Sequence, residues 1–336
     1  MKELKLYSKL AGEKVICHAC AHNCKIREGE TGICGVNINE AGILKSQVYG
    51  RAIAMHVDPI EKKPLYHFFP GSLSFSIATV GCNMHCQNCQ NSDISQMPVD
   101  QGGIEGSKFG PNLVVMSTIN QQCRSISYTY TEPAVFWDYA YDTSILAKEN
   151  GIRTVFVTNG YFSEESLKTM IPFMDAANVD LKFFKDATYK SVCGAKLKPV
   201  LDAIQWMKEL GVWVEVTTLL IPDLNDSDKE LTDIAKFIHD LDPGIPWHIS
   251  RFHPTYKMTD KSLTPIETIR KARQIGLDSG LRYVYVGNVP DREGSDTVCH
   301  QCGKTLIQRE GFSVQKMDLT GGKCPSCQSV IDGIWE

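Results

Sequence analysis

The chain has 336 residues, of which 22% are charged, and its formal net charge at pH 7 is −4. This length suits one barrel with appended segments or about two domains. The mixed charges predict no extended surface for phosphate groups, although a local contact with nucleic acid stays open. The first residues lack an apolar signal core, and no apolar run reaches the ~18 residues of a membrane span. We therefore expect a cytoplasmic protein.

Eleven of the thirteen cysteines fall into three tight groups, and only Cys123 and Cys193 stand apart. Cysteine pairs at C-x2-C spacing in a chain of this size are typical of metal binding in a reducing compartment, not of disulfides. An isolated cysteine is most often a small buried apolar residue. The three groups are therefore the candidate metal sites.

The first predicted unit covers residues 1–71 and contains a four-cysteine segment. The spacing is C-x2-C-x3-C-x9-C, formed by Cys17, Cys20, Cys24 and Cys34. Because such a short, loop-rich segment builds little core, a bound metal would supply folding energy. Four thiolates suit a closed site for either zinc or a second iron–sulfur cluster, and the spacing leaves both open.

The second predicted unit, residues 72–290, alternates between strand and helix patterns. Six strands are predicted, at 73–80, 126–130, 153–157, 177–182, 212–220 and 247–252, with a further edge strand at 283–286. Helix signals lie between them, including a cap at Ser163 and capping boxes that begin at Ser227 and Thr264. This alternation predicts parallel strands in an α/β fold, a partial (β/α)6 TIM-like barrel.

A three-cysteine loop directly follows the first strand of this unit. Cys82, Cys86 and Cys89 have C-x3-C-x2-C spacing, with no fourth cysteine nearby. Soft thiolates select iron–sulfur clusters, zinc or copper(I), and a structural zinc site uses four protein ligands. Three ligands instead leave one iron of a cubane cluster open to substrate. The pattern predicts a catalytic [4Fe–4S] cluster.

Polar residues recur where the later strands end, which is the side of an α/β barrel that carries the active site. The candidates are Glu132, Asn159, Asp180, Lys182 and His253. Asp180 and Lys182 are two residues apart and share one face of their strand. An ion pair on an interior face costs desolvation, so ligand binding would account for it. Weaker candidates for facing a substrate are Trp247, His248, Tyr285 and Asn288, since aromatic residues near a barrel more often serve packing.

The third predicted unit, residues 291–336, contains two C-x2-C pairs separated by 21 residues. The four cysteines are Cys299, Cys302, Cys324 and Cys327. Two such pairs are typical of zinc ribbons and rubredoxins. Zinc is favoured because four thiolates close every coordination position and leave no chemistry to do. Rubredoxin-like iron is the alternative.

The three-cysteine loop resembles that of the radical S-adenosylmethionine (SAM) superfamily. The resemblance implies a [4Fe–4S] cluster whose open iron chelates the amino and carboxylate groups of SAM. It further implies reductive cleavage of SAM to a 5′-deoxyadenosyl radical, which abstracts hydrogen from a protein or a small molecule. The electron would come from a low-potential donor such as ferredoxin or flavodoxin.

Residues 72–290 resemble the activating enzymes of glycyl radical proteins, the pyruvate formate-lyase type. The matching stretches are Tyr130 to Pro133 (Gly-Gly-Glu-Pro in that family), Thr158 to Gly160 (Thr-Asn-Gly), Asp180 to Lys182 (Asp-Leu-Lys) and Phe252 to His253 (Tyr-His). The resemblance implies that Glu132 holds the SAM amino group, that Asp180 and Lys182 contact ribose and carboxylate, and that His253 lies near SAM. Two positions depart from the family, Thr131 for a glycine and Val157 for an aspartate that resembles a cation ligand.

A second resemblance covers almost the full chain. It is to the radical SAM component of the AmmeMemoRadiSam system. The stretches that resemble this family are, in chain order, the four-cysteine segment, residues 58–67, the cluster loop, residues 128–133, residues 247–254 and the terminal ribbon. It implies SAM chemistry and companion Memo-like proteins, but no settled substrate. The alternatives are a glycyl radical activase in the strict sense, or a non-catalytic iron–sulfur and zinc protein for electron transfer or interaction. An open iron argues against the last of these, because a pure carrier gains nothing from it.

Overall fold

The computed structural model describes residues 1–289 and 294–336. Its largest sheet has eight strands, which follow one another across the sheet in chain order. They are Ala54–Pro59 (β1), Leu73–Ala78 (β2), Ser125–Tyr128 (β3), Arg153–Thr158 (β4), Ala176–Asp180 (β5), Trp213–Leu220 (β6), Trp247–Arg251 (β7) and Val284–Gly287 (β8). β1 pairs antiparallel with β2, and all the other neighbours pair in parallel. The open α/β sheet confirms the predicted partial barrel.

One main helix stands between each pair of successive parallel strands. The six are Pro111–Asn120 (α1), Trp137–Glu149 (α2), Glu164–Met170 (α3), Leu197–Glu209 (α4), Asp228–Leu241 (α5) and Ile266–Asp278 (α6). Shorter helical segments are Ile60–Lys62, Ser92–Ser95, Met97–Asp100, Pro133–Phe136, Ile171–Phe173, Asp186–Thr188 and the π-helical turn Tyr189–Cys193. The connections therefore form six β/α units. In the described part of the chain, each helix is too short or too polar to cross a membrane.

Helix caps show where local sequence signals hold and where they fail. Ser163 and Ser227 cap α3 and α5, each accepting from the backbone N–H three residues on. The capping box predicted at Thr264 is wrong. α6 begins at Ile266 with no side-chain cap, and the Thr264 hydroxyl instead donates to the Leu220 carbonyl at 2.5 Å. A tertiary hydrogen bond to the end of β6 has replaced the local one.

The N-terminal unit packs into the barrel core instead of standing apart from it. Two small antiparallel sheets consist of Lys2–Glu3, Asn37–Glu40 and Ile43–Ser46, and of Tyr7–Lys9, Val15–Cys17 and Lys25–Ile26. A two-stranded pair joins Arg51–Ala52 to Ser107–Lys108. β1 lies within the predicted unit 1–71, yet it forms the edge of the main sheet. The unit therefore shares both core and sheet with residues 72–289.

The C-terminal unit docks on the barrel through a buried arginine. Its sheet consists of Thr297–Val298, Thr305–Glu310 and Ser313–Met317, and the boundary predicted at residues 290 and 291 lies outside the described residues. Arg309 is fully buried and donates to the carbonyls of Tyr66 (2.7 Å) and Ser295 (3.1 Å) and to the Thr297 hydroxyl (2.8 Å). Its Nε lies 3.7 Å from Oε1 of buried Glu61. This ion pair connects the C-terminal unit to the segment before β2.

Replacing Arg309 with alanine is expected to lower the free energy of unfolding by about 3–5 kcal/mol, because the Glu61 carboxylate would stay buried without its partner. Urea unfolding measures the change. Arg153→Ala, which removes a half-exposed arginine paired with Asp175, should cost under about 1 kcal/mol. The double variant Glu61→Gln/Arg309→Met should lose less than Arg309→Ala alone. Equal losses in the two Arg309 variants would contradict this account.

Candidate active site

A cavity of about 370 Å³ lies at the C-terminal ends of the parallel strands. Every strand from β2 to β8 contributes lining residues at its end or in the loop that follows. This convergence follows from the topology, because parallel strands joined by helices all end on the same side of the sheet. The cavity gathers most of the polar residues that the sequence places at strand ends.

The three cysteines of the loop after β2 all line this cavity. The loop begins at Gly81, whose φ is 99°. A Cβ at this position would lie 2.6 Å from Cγ1 of Val36 and 3.1 Å from the Cys34 carbonyl oxygen. Both the positive φ and the close approach require glycine. The N-terminal unit therefore sets the path of the loop that carries Cys82, Cys86 and Cys89.

The π-helical turn Tyr189–Cys193 holds the same loop from the other side. The backbone N–H groups of His85 and Gln87 donate to the carbonyls of Cys193 (2.9 Å) and Val192 (3.0 Å). The last carbonyls of a helix have no partner within the helix, and here the N–H groups of the cluster loop bond to two of them. The interaction with the buried Cys193 thiol lowers the pKa of Cys86. An isolated cysteine thus contacts a predicted cluster ligand.

The three thiols of the cluster loop do not form the compact group that a single metal ion requires. Burial raises the pKa of the Cys82 and Cys89 thiols, so a positively charged metal is needed to hold them as thiolates. Within residues 1–289 and 294–336, only the C-terminal group brings three or more ligand atoms of Cys, His, Asp or Glu within 4.8 Å of one another. The cluster-loop thiols are more widely spaced. A cubane suits this spacing because each thiolate binds a different iron.

Glu132 is fully buried in the wall next to the cysteines. Its Oε1 accepts from the Thr158 hydroxyl (2.7 Å) and the Ala134 N–H (3.0 Å), and its Oε2 accepts from the Asn159 N–H (2.8 Å). Burial raises the pKa of this carboxyl to about 7. The side chain therefore joins the ends of β3 and β4 and gives the cavity a carboxyl group that titrates near neutrality.

Asn159 connects this wall to the cluster loop. Its Nδ2 donates to Oδ1 of Asn83 at 2.8 Å and lies 3.7 Å from Sγ of Cys82. Its Oδ1 accepts from the Tyr161 N–H at 2.9 Å. The amide is thus held in one orientation beside a predicted cluster ligand.

Asp180 and Lys182 lie on the same face and form an ion pair, with Lys182 Nζ 2.8 Å from Asp180 Oδ2. Both line the cavity, so the shared face is the interior one. Burial lowers the pKa of Lys182, but Asp180 and the nearby thiols outweigh it and keep that pKa above its ordinary value. A charged pair is therefore available to a polar ligand. The fifth predicted SAM contact, His253, is exposed and lies outside the residues that line the cavity.

The cavity lining also contains residues that local patterns did not bring together. It includes Glu61, Lys62 and Tyr66 from the N-terminal unit, His248, Ser250 and Asn288 from the last strands, and Phe312 from the C-terminal hairpin. His248 and Asn288 were weak candidates in the sequence. Trp247 and Tyr285 are buried and hydrogen-bond Thr218 and Thr297 instead. No sequence signal marks Phe312, because only the docking of the C-terminal unit brings it to the cavity.

A buried carboxylate orients His248. Glu215, on β6, accepts from His248 Nε2 at 2.6 Å, from the backbone N–H groups of Tyr66 (3.0 Å) and His67 (2.8 Å), and from Trp213 Nε1 (3.0 Å). Burial opposes ionisation of Glu215, but His248 outweighs it and lowers the pKa of the carboxyl. The cavity lining thus contains an imidazole held by a carboxylate, the arrangement of a proton-transfer residue.

The C-terminal cysteines form a compact group. All four Sγ atoms lie within 4.8 Å of one another, and the close pairs are Cys299 with Cys327 (3.5 Å) and Cys302 with Cys324 (3.7 Å). Zinc binds thiolates at about 2.3 Å, so its ligands lie no more than about 4.6 Å apart. The group therefore has the dimensions of a single-ion site.

Comparison with known proteins agrees with this geometry. Residues 76–238 match the radical SAM superfamily, a range that includes the cluster loop, Glu132, Asn159, Asp180 and Lys182. An uncharacterized protein of Methanocaldococcus jannaschii is 45% identical over 335 residues, which cover 99% of each chain. A pyruvate formate-lyase-activating enzyme of Clostridium pasteurianum is 23% identical over 208 residues, covering 60% of this chain and 87% of that one.

Solved structures show the same fold. A radical SAM methyltransferase of Sphaerobacter thermophilus superposes with a TM-score of 0.51 at 16% identity, over 71% of each chain. The loop spacing, the fold and the matched range agree. Residues 76–238 form a radical SAM domain, and the chain is homologous to the pyruvate formate-lyase-activating enzymes.

Proposed function

We propose that SAM binds in the cavity against the wall formed by Glu132, Asn159, Asp180 and Lys182, beside a cluster on Cys82, Cys86 and Cys89. The observation that carries this proposal is the convergence of all seven side chains on one cavity. SAM has a cationic amine, a carboxylate and a ribose diol. Glu132 suits the amine, Lys182 the carboxylate and Asp180 the ribose hydroxyls, whereas Asn159 can both donate and accept.

With the [4Fe–4S] cluster bound, this radical SAM enzyme cleaves SAM reductively to a 5′-deoxyadenosyl radical that abstracts hydrogen from a protein or small-molecule substrate. The chain's own residues have three tasks in this account. They hold SAM, exclude water from the cavity and position the substrate. Buried Met84 and partly buried Val157 and Leu219 supply apolar lining next to the polar contacts.

The substrate is proposed to bind in the same cavity, beside His248. Since Glu215 holds one ring nitrogen, His248 is the residue we assign to proton transfer with the substrate. Phe312 at the hairpin tip is half-exposed and also lines this cavity. A substrate here would contact all three predicted units of the chain.

The pathway context is proposed to be the AmmeMemoRadiSam system, with a Memo-like protein as partner and a ferredoxin or flavodoxin as electron donor in the cytoplasm. The support is the order of motifs along nearly the full chain. A glycyl radical activase in the strict sense is the second candidate, favoured by the similarity to activating enzymes. Thr131 and Val157, which depart from that family's pattern, favour the first.

The deciding experiment incubates anaerobic, chemically reduced protein with SAM and separates the products by chromatography. We expect 5′-deoxyadenosine and methionine in equal amounts. Deuterium carried from a labelled candidate substrate into 5′-deoxyadenosine would then identify the hydrogen donor. If SAM remains intact in cluster-loaded, reduced protein, the proposed SAM site is wrong.

SAM binding is expected to weaken about tenfold between pH 8 and pH 6, because a Glu132 carboxyl with a pKa of about 7 loses most of its charge over this range. Stability should move in the opposite direction. The Glu132 pKa in the folded chain lies above the ordinary value of 4.5, so the folded state binds the proton more tightly than the unfolded state. The contribution of Glu132 to the free energy of unfolding therefore increases as the pH falls from about 7 to 4.5. SAM titrations of cluster-loaded protein at constant ionic strength measure the affinity. Glu132→Gln should remove the dependence, and an unchanged slope in that variant would exclude Glu132 as its cause.

The C-terminal group is proposed to bind one structural zinc. Elemental analysis of the full chain is expected to show about one zinc per chain. The double variant Cys302→Ser/Cys327→Ser should lose this zinc, because it removes two of the four thiolate ligands. Hydrogen exchange should also become faster in residues 297–317. Cys123→Ser, outside all three groups, is the matched control and should keep the metal. Iron in place of zinc at this site would support the rubredoxin-like alternative.

A further inference from the structure

The N-terminal four-cysteine segment forms a second candidate metal site, independent of how SAM is bound. Cys17 ends the strand Val15–Cys17, and the other three lie in the turns that follow. Cys17, Cys20 and Cys34 are buried and Cys24 is partly exposed. Four thiols thus lie within one short, loop-rich segment, three of them shielded from solvent.

The spacing of these thiols differs from that of the C-terminal group. Among the described residues, the four C-terminal thiols all lie within 4.8 Å of one another. No three of the N-terminal thiols lie this close together. Two thiolates on one zinc are separated by at most about 4.6 Å. No three of the N-terminal thiols therefore form the compact group that one zinc ion requires. The same holds for Cys82, Cys86 and Cys89, the predicted ligands of the open cluster.

We propose that Cys17, Cys20, Cys24 and Cys34 bind a second [4Fe–4S] cluster, one with all four irons ligated by cysteine. Four thiolates complete the ligand set of such a cluster and leave no iron open to SAM. The two clusters would thus differ in function. A cluster held by Cys82, Cys86 and Cys89 would keep one iron open to SAM, whereas the N-terminal one would be closed.

The second cluster would lie against the loop that carries the first. The His22 ring Nε2 is 2.7 Å from the carbonyl oxygen of Asn83, next to Cys82. The Ala21 N–H donates to the Tyr161 carbonyl at 3.1 Å, two residues after Asn159. Zinc has no redox chemistry, whereas an iron–sulfur cluster does. The metal identity therefore decides whether this unit is a redox centre beside the SAM site.

The test uses the full chain with Cys82, Cys86 and Cys89 all replaced by alanine, reconstituted anaerobically with iron and sulfide next to the wild type. We expect about eight iron per chain in the wild type and about four in the triple variant, as two and one [4Fe–4S] clusters require. The reduced triple variant should give an electron paramagnetic resonance signal that SAM leaves unchanged. A triple variant that contains zinc at two sites and no iron would overturn the proposal, and so would one with no metal beyond the C-terminal site.

A further variant distinguishes a cluster ligated by these cysteines from iron that is bound non-specifically. Adding Cys24→Ala to the triple variant removes the least buried ligand, so it disturbs packing least. The signal should then be lost, whereas adding Cys123→Ala should leave it intact. Native mass spectrometry of the wild type needs no variant and should show the added mass of two clusters. One cluster in the wild type, or a signal that survives Cys24→Ala, would contradict the assignment.

Discussion

Replacing Cys82, Cys86 and Cys89 together with alanine is expected to abolish 5′-deoxyadenosine formation and to remove the SAM-sensitive spectral signal of the reduced protein. These are the only described cysteines, apart from buried Cys193, whose positions adjoin the cavity. Reductive cleavage of SAM needs an iron bound at this position. Because the loop backbone is held by Gly81 and by the turn Tyr189–Cys193, the chain should remain folded.

Product chromatography and spectra with and without SAM measure this loss. Cys123→Ala is the matched control, since it also removes a buried thiol but lies outside all three cysteine groups. It should retain wild-type activity. Some iron is expected to remain in the triple variant at the N-terminal site, so total iron alone does not decide the result. A cluster signal that still responds to SAM would contradict the assignment of the three ligands.

Asp180→Ala and Glu132→Ala should each keep the cluster and bind SAM at least ~30-fold more weakly. Losing one charged contact in a desolvated site costs on the order of 2–5 kcal/mol, and about 2 kcal/mol corresponds to that factor. Asp180→Ala is the cleaner of the two. Glu132 also accepts three hydrogen bonds, from Thr158 at the end of β4, from Asn159 directly after it and from Ala134, so its removal will lower stability as well.

SAM titrations monitored by the cluster spectrum measure these affinities. Lys229→Ala is the control, because its side chain is 82% exposed on α5 and makes only a surface ion pair with Asp233. Thermal unfolding of each variant separates lost affinity from lost stability. Wild-type affinity in both variants would mean that these residues serve only the structure of the barrel and that SAM is held elsewhere.

Several parts of the site were predictable because their signals are local. The spacing of the cysteines in the cluster loop depends on a few adjacent residues, and strand–helix alternation is a periodicity of side-chain burial. Residues at strand ends could be placed on one side of the sheet, since parallel topology brings those ends together. Glu132, Asn159, Asp180 and Lys182 do line one cavity. His253 also follows a strand, β7, and was predicted on the same grounds, but it is exposed and does not line the cavity.

Other parts depend on contacts between residues far apart in the chain. β1 was not predicted because an edge strand from the preceding unit has no helix before it to mark the alternation. α1 was missed because it has no side-chain cap and leaves Leu113, Met116 and Ile119 exposed, so its apolar residues do not form one buried face. The capping box at Thr264 failed because the hydroxyl found a partner on β6.

The sequence by itself determined the chemistry that this protein can support: three thiolate groups, one of them with an open ligand set, on an α/β fold of six units. These properties follow from residue type, spacing and periodicity, which act over a few residues. Only the tertiary structure decided which side chains share the cavity, that Glu215 orients His248, and that Phe312 reaches the site. It also decided the distances between thiols. The physical reason is that packing and buried hydrogen bonds join segments more than a hundred residues apart, and no local pattern records which segments will meet.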